Sequence, residues 1–196
     1  MSANDLNPSF ADHFLVALSG TGLAQDYFHD SISLLVEHNA EGAFGLVINR
    51  PLDTSLAELL PGFAAAGAKH QLAGQRSACR VLEGGPVEPN RLFFLHSAER
   101  EYPGTLKVNA DIYLSTATEL VEELRHGAGP AQIIALLGYA GWGAEQLEQE
   151  LAQTIWLLTP TDADIVFATP MAERRSRAAA ILGVDLNLIN RAAGHD

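Results

Sequence analysis

Residues 137–151, LGYAGWGAEQLEQEL, join an apolar run to an acidic, helix-like segment through Gly138, Gly141 and Gly143. Glycine reaches backbone conformations that residues with a Cβ resist. The spacing therefore predicts a strand that breaks into a tight turn holding Tyr139 and Trp142. Such a turn is a candidate pocket wall, and it contains no catalytic motif.

With 47% hydrophobic and 18% charged residues over 196 positions, the chain can build one folded domain with a substantial core. Residues 1–13 are expected to form a flexible lead-in and 14–196 a single domain. The formal charge of −12 creates a surface field that repels nucleic-acid backbones and anionic lipid, so direct nucleic-acid binding is disfavoured without a local basic patch. The longest nearly apolar run, 133–144, is shorter than the roughly 20 residues that span a bilayer, and 1–13 has neither a basic nor an apolar signal region. The single cysteine, Cys79, can form no internal disulfide and reads as a small buried hydrophobe. These features predict a cytoplasmic protein without membrane contact.

Phe14–Leu18 is a continuous apolar run of strand length. Ser31–His38 and Phe44–Arg50 are β-rich and separated by Asn39–Ala43, which predicts an antiparallel hairpin. Ser55 and Glu58 have capping-box spacing ahead of a short helix that Pro61-Gly62 ends, and Ala64–Ser77 reads as loop. Cys79–Leu82 and Leu92–His96 flank the turn-like Glu83–Val87 and suggest a second hairpin. Thr105–Val108 and Ile112–Leu114 read as edge strands. Thr116 and Glu119 form another capping-box pair, before a stripe of Leu120, Val121 and Leu124. Gln132–Gly138 fits a central strand, Ala144–Ala152 a short helix, and Ile155–Leu158 and Ile165–Ala168 further strands. A last helix runs from Pro170 to Leu182 and stops at Gly183. Hairpins mixed with strand–helix alternation predict a mixed α/β (α+β) fold, a mixed sheet with helices packed on it.

Two groups of candidate binding residues flank the first hairpin. His38 and Asn39 adjoin its loop, while Asn49 and Arg50 lie about one strand length away, so the four cannot act as one catalytic group. Asn39 can shape the turn and Asn49 can cap backbone groups before Pro51; alternatively, Asn49 and Arg50 at a strand exit can recognise a carboxylate. Gly84, Gly85 and Pro86 could share a groove with Gly138, Gly141 and Gly143, with Tyr139 and Trp142 as apolar anchors. The other reading is close backbone packing with both aromatics in the core. Glu145 and Glu148 disfavour phosphate at the helix after Gly143.

Enzyme signatures are sparse. Gly20 and Gly22 lack the third glycine of a dinucleotide fingerprint, the position being Gln25, and no P-loop, nucleophile elbow or H-E-x-x-H motif occurs. The seven histidines are scattered without ligand spacing, so no metal or other cofactor is predicted, and no catalytic residue. His96, ending an apolar run, reads as a hydrogen-bonded histidine at the core's edge. Arg174, Arg175 and Arg177 read as a solvated, ion-paired helix face, the other reading being a surface that docks an anionic partner.

Five segments in order, EHNAEGAFGLVINRPLD (37–53), EGGPV (83–87), DIYLST (111–116), LGYAGWG (137–143) and LGVDLNLINRAAGH (182–195), resemble the AlgH/YqgE family of bacterial proteins. The resemblance extends from about Phe14 to His195. It implies a broad mixed sheet with a smaller α+β lobe from the middle of the chain, about 88–130. It also implies a link to regulation, the family's name reflecting an association with alginate production, but supplies no reaction. The chain departs from the pattern at Val36, where the family often has Cys, at Glu145, often Gly, and at Ser176, often Trp. The expected activity is that of a non-enzymatic regulatory or adaptor protein acting through a ligand- or protein-binding surface. Alternatives are an enzyme using His38 or His96 as acid or base, and a transcriptional regulator contacting DNA.

Overall fold

A computed structural model describes residues 9–18, 27–60, 80–186 and 188. Among these, the strands are β1 (His13–Ala17), β2 (Ile32–Asn39), β3 (Gly42–Val47), β4 (Pro51–Ser55), β5 (Arg80–Glu83), β6 (Val87–Ser97), β7 (Leu106–Lys107), β8 (Ile112–Ser115), β9 (Ile133–Gly143) and β10 (Trp156–Pro160). The helices are α1 (Leu56–Leu59), α2 (Thr118–Arg125), α3 (Gln146–Ala152), α4 (Ala163–Phe167) and α5 (Met171–Ile181). The main sheet has the order β10-β1-β2-β3-β9-β6-β8-β7, with β5 joined to β9 and β4 to β5. All pairings are antiparallel except β5 with β9, so the sheet is mixed as predicted.

The strand β9 does not break at its glycines. It runs through Gly138 and Gly141 to Gly143, and only Gly138 of the three has a left-handed backbone, with φ +72°. On one edge, Ala135–Leu137 pair with β5 and Ala140–Gly143 with β3, so Gly138 lies where the partner changes. The segment 83–84 closes this junction: Glu83 N–H donates to the Arg50 carbonyl, Gly84 N–H to that of Leu137, and Val47 N–H to that of Gly84, each at 2.8 Å. A Cβ on Gly84 would strike the Gly138 carbonyl, and one on Gly138 the Gly85 carbonyl. The glycines thus permit backbone contact rather than a turn.

Gly138 also inverts the side-chain alternation. Ile134 and Leu136 share a core cluster with Tyr139, whereas Ala135 and Leu137 point away from it, as do Ala140 and Trp142. One cluster packs α4 and α5, through Ile165, Val166, Ala178 and Ala179, on Phe14, Val16, Ile32, Leu34, Leu46 and Ile48. The others place α3 on Leu15, Leu35, Trp142 and Trp156, and α2 on Phe94 and Ala135. Residues 88–130 supply β6, β7, β8 and α2, which continue the sheet from β9.

Several expectations are corrected. The runs at 79–82 and 92–96 do not form a hairpin, because β5 and β6 each pair with β9, which lies between them. In the first hairpin, strand pairing reaches Asn39 and Gly42, shortening the loop to Ala40-Glu41. Residues 165–168 are not a strand: Asp162 accepts from Asp164 N–H at 2.8 Å, and this cap prevails over the β preference of Ile, Val and Phe in α4. Thr116 does not cap α2, whose N-cap is Ala117, whereas Glu58 accepts from Ser55 N–H and Oγ at α1 as predicted. On α5, Arg174 and Arg175 turn inward. Arg174 donates to the carbonyls of Ile48 and Thr169, and Arg175 to that of Ala17 and to Asp30; only Arg177 of the three is exposed. The readings of residues 1–8, Gly20–Gln25, Ala64–Ser77, Cys79 and 189–196 lie outside the described residues.

Two substitutions test the backbone account. Gly138→Ala adds the cost of a left-handed Ala, about 1–2 kcal/mol, to a forced displacement of the Gly85 carbonyl, and should lose about 3 kcal/mol in urea denaturation. Glu145 heads α3 with φ +62°, so Glu145→Gly should gain about 0.5–1 kcal/mol and raise the melting midpoint by about 1–4 °C in calorimetry.

Candidate functional site

Three rings from neighbouring strands meet on one face of the sheet. Phe44 and Tyr139 have centroids 5.0 Å apart, Phe44 and Phe93 5.8 Å, and Phe93 and Tyr139 6.1 Å, all mutually tilted. They floor a cavity of about 400 Å³, bounded by Leu106 and Leu114, with Glu37 and Arg91 at its walls. Glu37 stands directly across the β2–β3 pair from Phe44, which sets the carboxylate beside that ring. Arg91 lies 5.1 Å from the Phe93 centroid and is held by Glu88 at 2.9 Å. The volume falls within the range of small-molecule pockets.

The expected groove does not unite Tyr139 with Trp142, since they occupy opposite faces of β9. Trp142 is 5% exposed, stacks on Phe28 and donates from its indole to Glu150 at 3.0 Å. The same carboxylate oxygen accepts from the Trp156 indole at 2.7 Å, so the acidic helix serves as an acceptor for core aromatics. Trp142 and Asn39 share a smaller hollow of about 190 Å³, which Glu37 also borders. Gly84 and Gly85 are packed against β9 and Pro86 is exposed, so their motif serves the junction described above. Gly141 faces open space: a Cβ there would meet only the Tyr139 ring, at 3.6 Å.

The polar candidates are committed to the fold. His38 Nδ1 accepts from Phe10 N–H at 3.1 Å, which assigns the ring proton to Nε2 and directs it to Glu148 at 2.9 Å; the side chain is 3% exposed. Asn39 accepts from Glu41 N–H at 2.8 Å and shapes the turn. Asn49 bridges Ile32 N–H and the Asp30 carbonyl. Arg50 donates to the His29 carbonyl at 3.0 Å and lies 4.4 Å over the Tyr27 ring. Burial, then the Glu83 carboxylate, pushes the Tyr27 phenol up, and Arg50 opposes this.

His96 is wholly buried. Its Nδ1–H donates to the Ser97 carbonyl at 3.0 Å, and its Nε2 accepts from Ser115 Oγ at 2.9 Å. Ser115 in turn accepts from Thr105 at 2.6 Å, and Thr105 from Tyr102 N–H at 3.0 Å. Each of these side-chain polar groups of His96, Ser115 and Thr105 has a partner, which fits the reading of His96 as a structural residue. Among the described residues, no group of three His, Cys, Asp or Glu side chains could hold a metal ion, and no helix is long and apolar enough to cross a membrane.

A family model described as AlgH-like (DUF179) matches residues 14–187. The chain belongs to the AlgH-like family. It is similar to a UPF0301 protein of Thioalkalivibrio sulfidiphilus, with 39% identity covering 95% of this chain and 97% of the relative. It also resembles one of Stenotrophomonas maltophilia, with 39% identity covering 95% and 96%. The solution structure of the AlgH protein from Pseudomonas aeruginosa matches with TM-score 0.74 and 38% identity, covering each chain fully. A crystal structure of a Corynebacterium diphtheriae protein, 18% identical and covering 96% and 98%, shares the fold with TM-score 0.70.

The AlgH-like motifs locate differently in this fold. The glycine motifs build the β9 junction, and the glutamate that opens the first motif reaches the aromatic cavity. The sequence does not single out Phe44, Phe93 and Arg91 around this cavity, because it reads the rings as core, which holds for Phe93 at 4% exposed. The signal available was a carboxylate, Glu37, directly opposite an aromatic in the hairpin. At the departures, Val36 is buried in β2, and Ser176 is exposed with Oγ donating to the Glu173 carbonyl.

Desolvation pushes His96 below its ordinary value of 6.5, partly opposed by the Ser97 carbonyl and Glu99. The unfolded chain therefore takes up this proton more readily. The contribution to stability is complete above about pH 6.5 and lost as the pH falls below it. Urea midpoints compared between pH 7.5 and 5 should drop further for the native sequence than for His96→Gln.

Proposed function

We propose that this AlgH-like protein is a cytoplasmic regulatory or adaptor protein that acts by binding a small ligand in the cavity floored by Phe44, Phe93 and Tyr139. The observation that carries this reading is the pairing of that aromatic floor with two oppositely charged side chains, Glu37 and Arg91, in a space of about 400 Å³. Two histidines that could have served as acid or base, His38 and His96, spend both ring nitrogens on hydrogen bonds within the fold, which argues against the enzymatic alternative. The inward course of Arg174 and Arg175, together with the charge of −12, argues against direct DNA contact.

A thermal-shift screen of metabolites tests this reading. A ligand at 100 times its Kd adds about 2.7 kcal/mol, a rise of about 5–10 °C in the midpoint. The rise should vanish in Tyr139→Leu and survive in Asn49→Ala. A shift that survives Tyr139→Leu would place the ligand elsewhere.

A further inference from the structure

The charges around the cavity are unequally satisfied. Arg91 is neutralised by Glu88 at 2.9 Å, and its guanidinium already rests over Phe93. The Glu37 side chain, by contrast, is exposed, and its carboxylate makes no hydrogen bond or ion pair among the described residues. It projects from β2 beside Phe44, just after the irregularity between Leu35 and Glu37 that resets the strand's alternation. An anion entering the cavity would meet this carboxylate, within a protein that carries 24 acidic and 12 basic residues. A cation would meet both the carboxylate and the negative faces of aromatic rings, the combination that favours organic ammonium groups.

We infer that the cavity takes a small organic cation with an aromatic or apolar body, its charge recognised by Glu37 and its body laid on Phe44 and Tyr139, beside the Arg91-covered Phe93. This rests on the reading of the cavity as a ligand site and adds the chemical class. Arg91 lies over the Phe93 ring as a built-in example of the same contact. Leu106 and Leu114 supply the apolar wall against which the ligand body packs. Glu37 is exposed and unbonded, so its replacement by an uncharged isostere leaves the hairpin's backbone pairing intact.

The test compares three probes of similar body by calorimetric titration and NMR at low salt: phenethylammonium, benzyltrimethylammonium and 3-phenylpropanoate. Both cations should bind and shift the ring signals of Phe44, Phe93 and Tyr139, with the carboxylate at least about tenfold weaker. Glu37→Gln, checked for an unchanged circular dichroism spectrum, should weaken both cations about tenfold and leave 3-phenylpropanoate unchanged or improved. Binding of 3-phenylpropanoate as tight as that of the cations, or an unchanged preference in Glu37→Gln, would overturn the cation assignment and leave the cavity reading standing. Ring signals unmoved by all three probes would overturn both.

Discussion

The contact on which the sheet depends is between two backbones: Gly84-Gly85 lies against Gly138-Tyr139 with no room for a Cβ at Gly84, Gly85 or Gly138. Peptide groups approach this closely only when their polar atoms are satisfied, and the 2.8 Å bonds from Glu83, Gly84 and Val47 meet that requirement. The contact makes β9 the common partner of β3, β5 and β6. The left-handed backbone at Gly138 then sends Tyr139 to the cavity face and Trp142 to the opposite core. Without it, the rings of Phe44, Phe93 and Tyr139 would have no shared floor.

A second constraint acts at the strand ends. Arg174 and Arg175 reach from α5 to the carbonyls of Ile48 and Ala17, just past β3 and at the end of β1. Burial lowers the pKa of Arg174 to about 10, which still leaves it charged at neutral pH. A guanidinium bonded to carbonyls through fixed N–H directions orients a helix more tightly than apolar contact alone. This matters for α5, whose buried residues Ala178 and Ala179 are small.

Much of the fold was legible because it is written in short-range patterns. The β-rich runs 31–38 and 44–50 around their short connection, the spacing of Ser55 and Glu58, and the stop at Gly183 each involve residues close in sequence. The pairing of β5 and β6 through β9 was not legible, because it joins residues 37 to 54 positions apart and nothing in either run names its partner. The direction of Arg174 and Arg175 was hidden for a related reason: charge on a helix suggests solvent until the carbonyls that receive it are located. In the candidate site, the structural readings of Asn39 and Asn49 follow from local turn chemistry. Phe44 escaped notice because a half-covered aromatic and a fully covered one, such as the buried Phe93, look alike in sequence.

The left-handed residue Gly138 separates β9 into two lengths with opposite parity. Side chains at 133–137 and at 139–143 therefore obey different rules for which layer they enter, although they belong to one continuous strand. A strand that kept residue 138 but ran through it with regular alternation would exchange the faces of Tyr139 and Ala140 without altering either. The ring would leave the cavity and a methyl group would replace it. Composition alone would register almost nothing, yet the binding face would be blank. The conformation of that one residue thus decides which face each later side chain of the strand enters, as much as the identities of the side chains themselves.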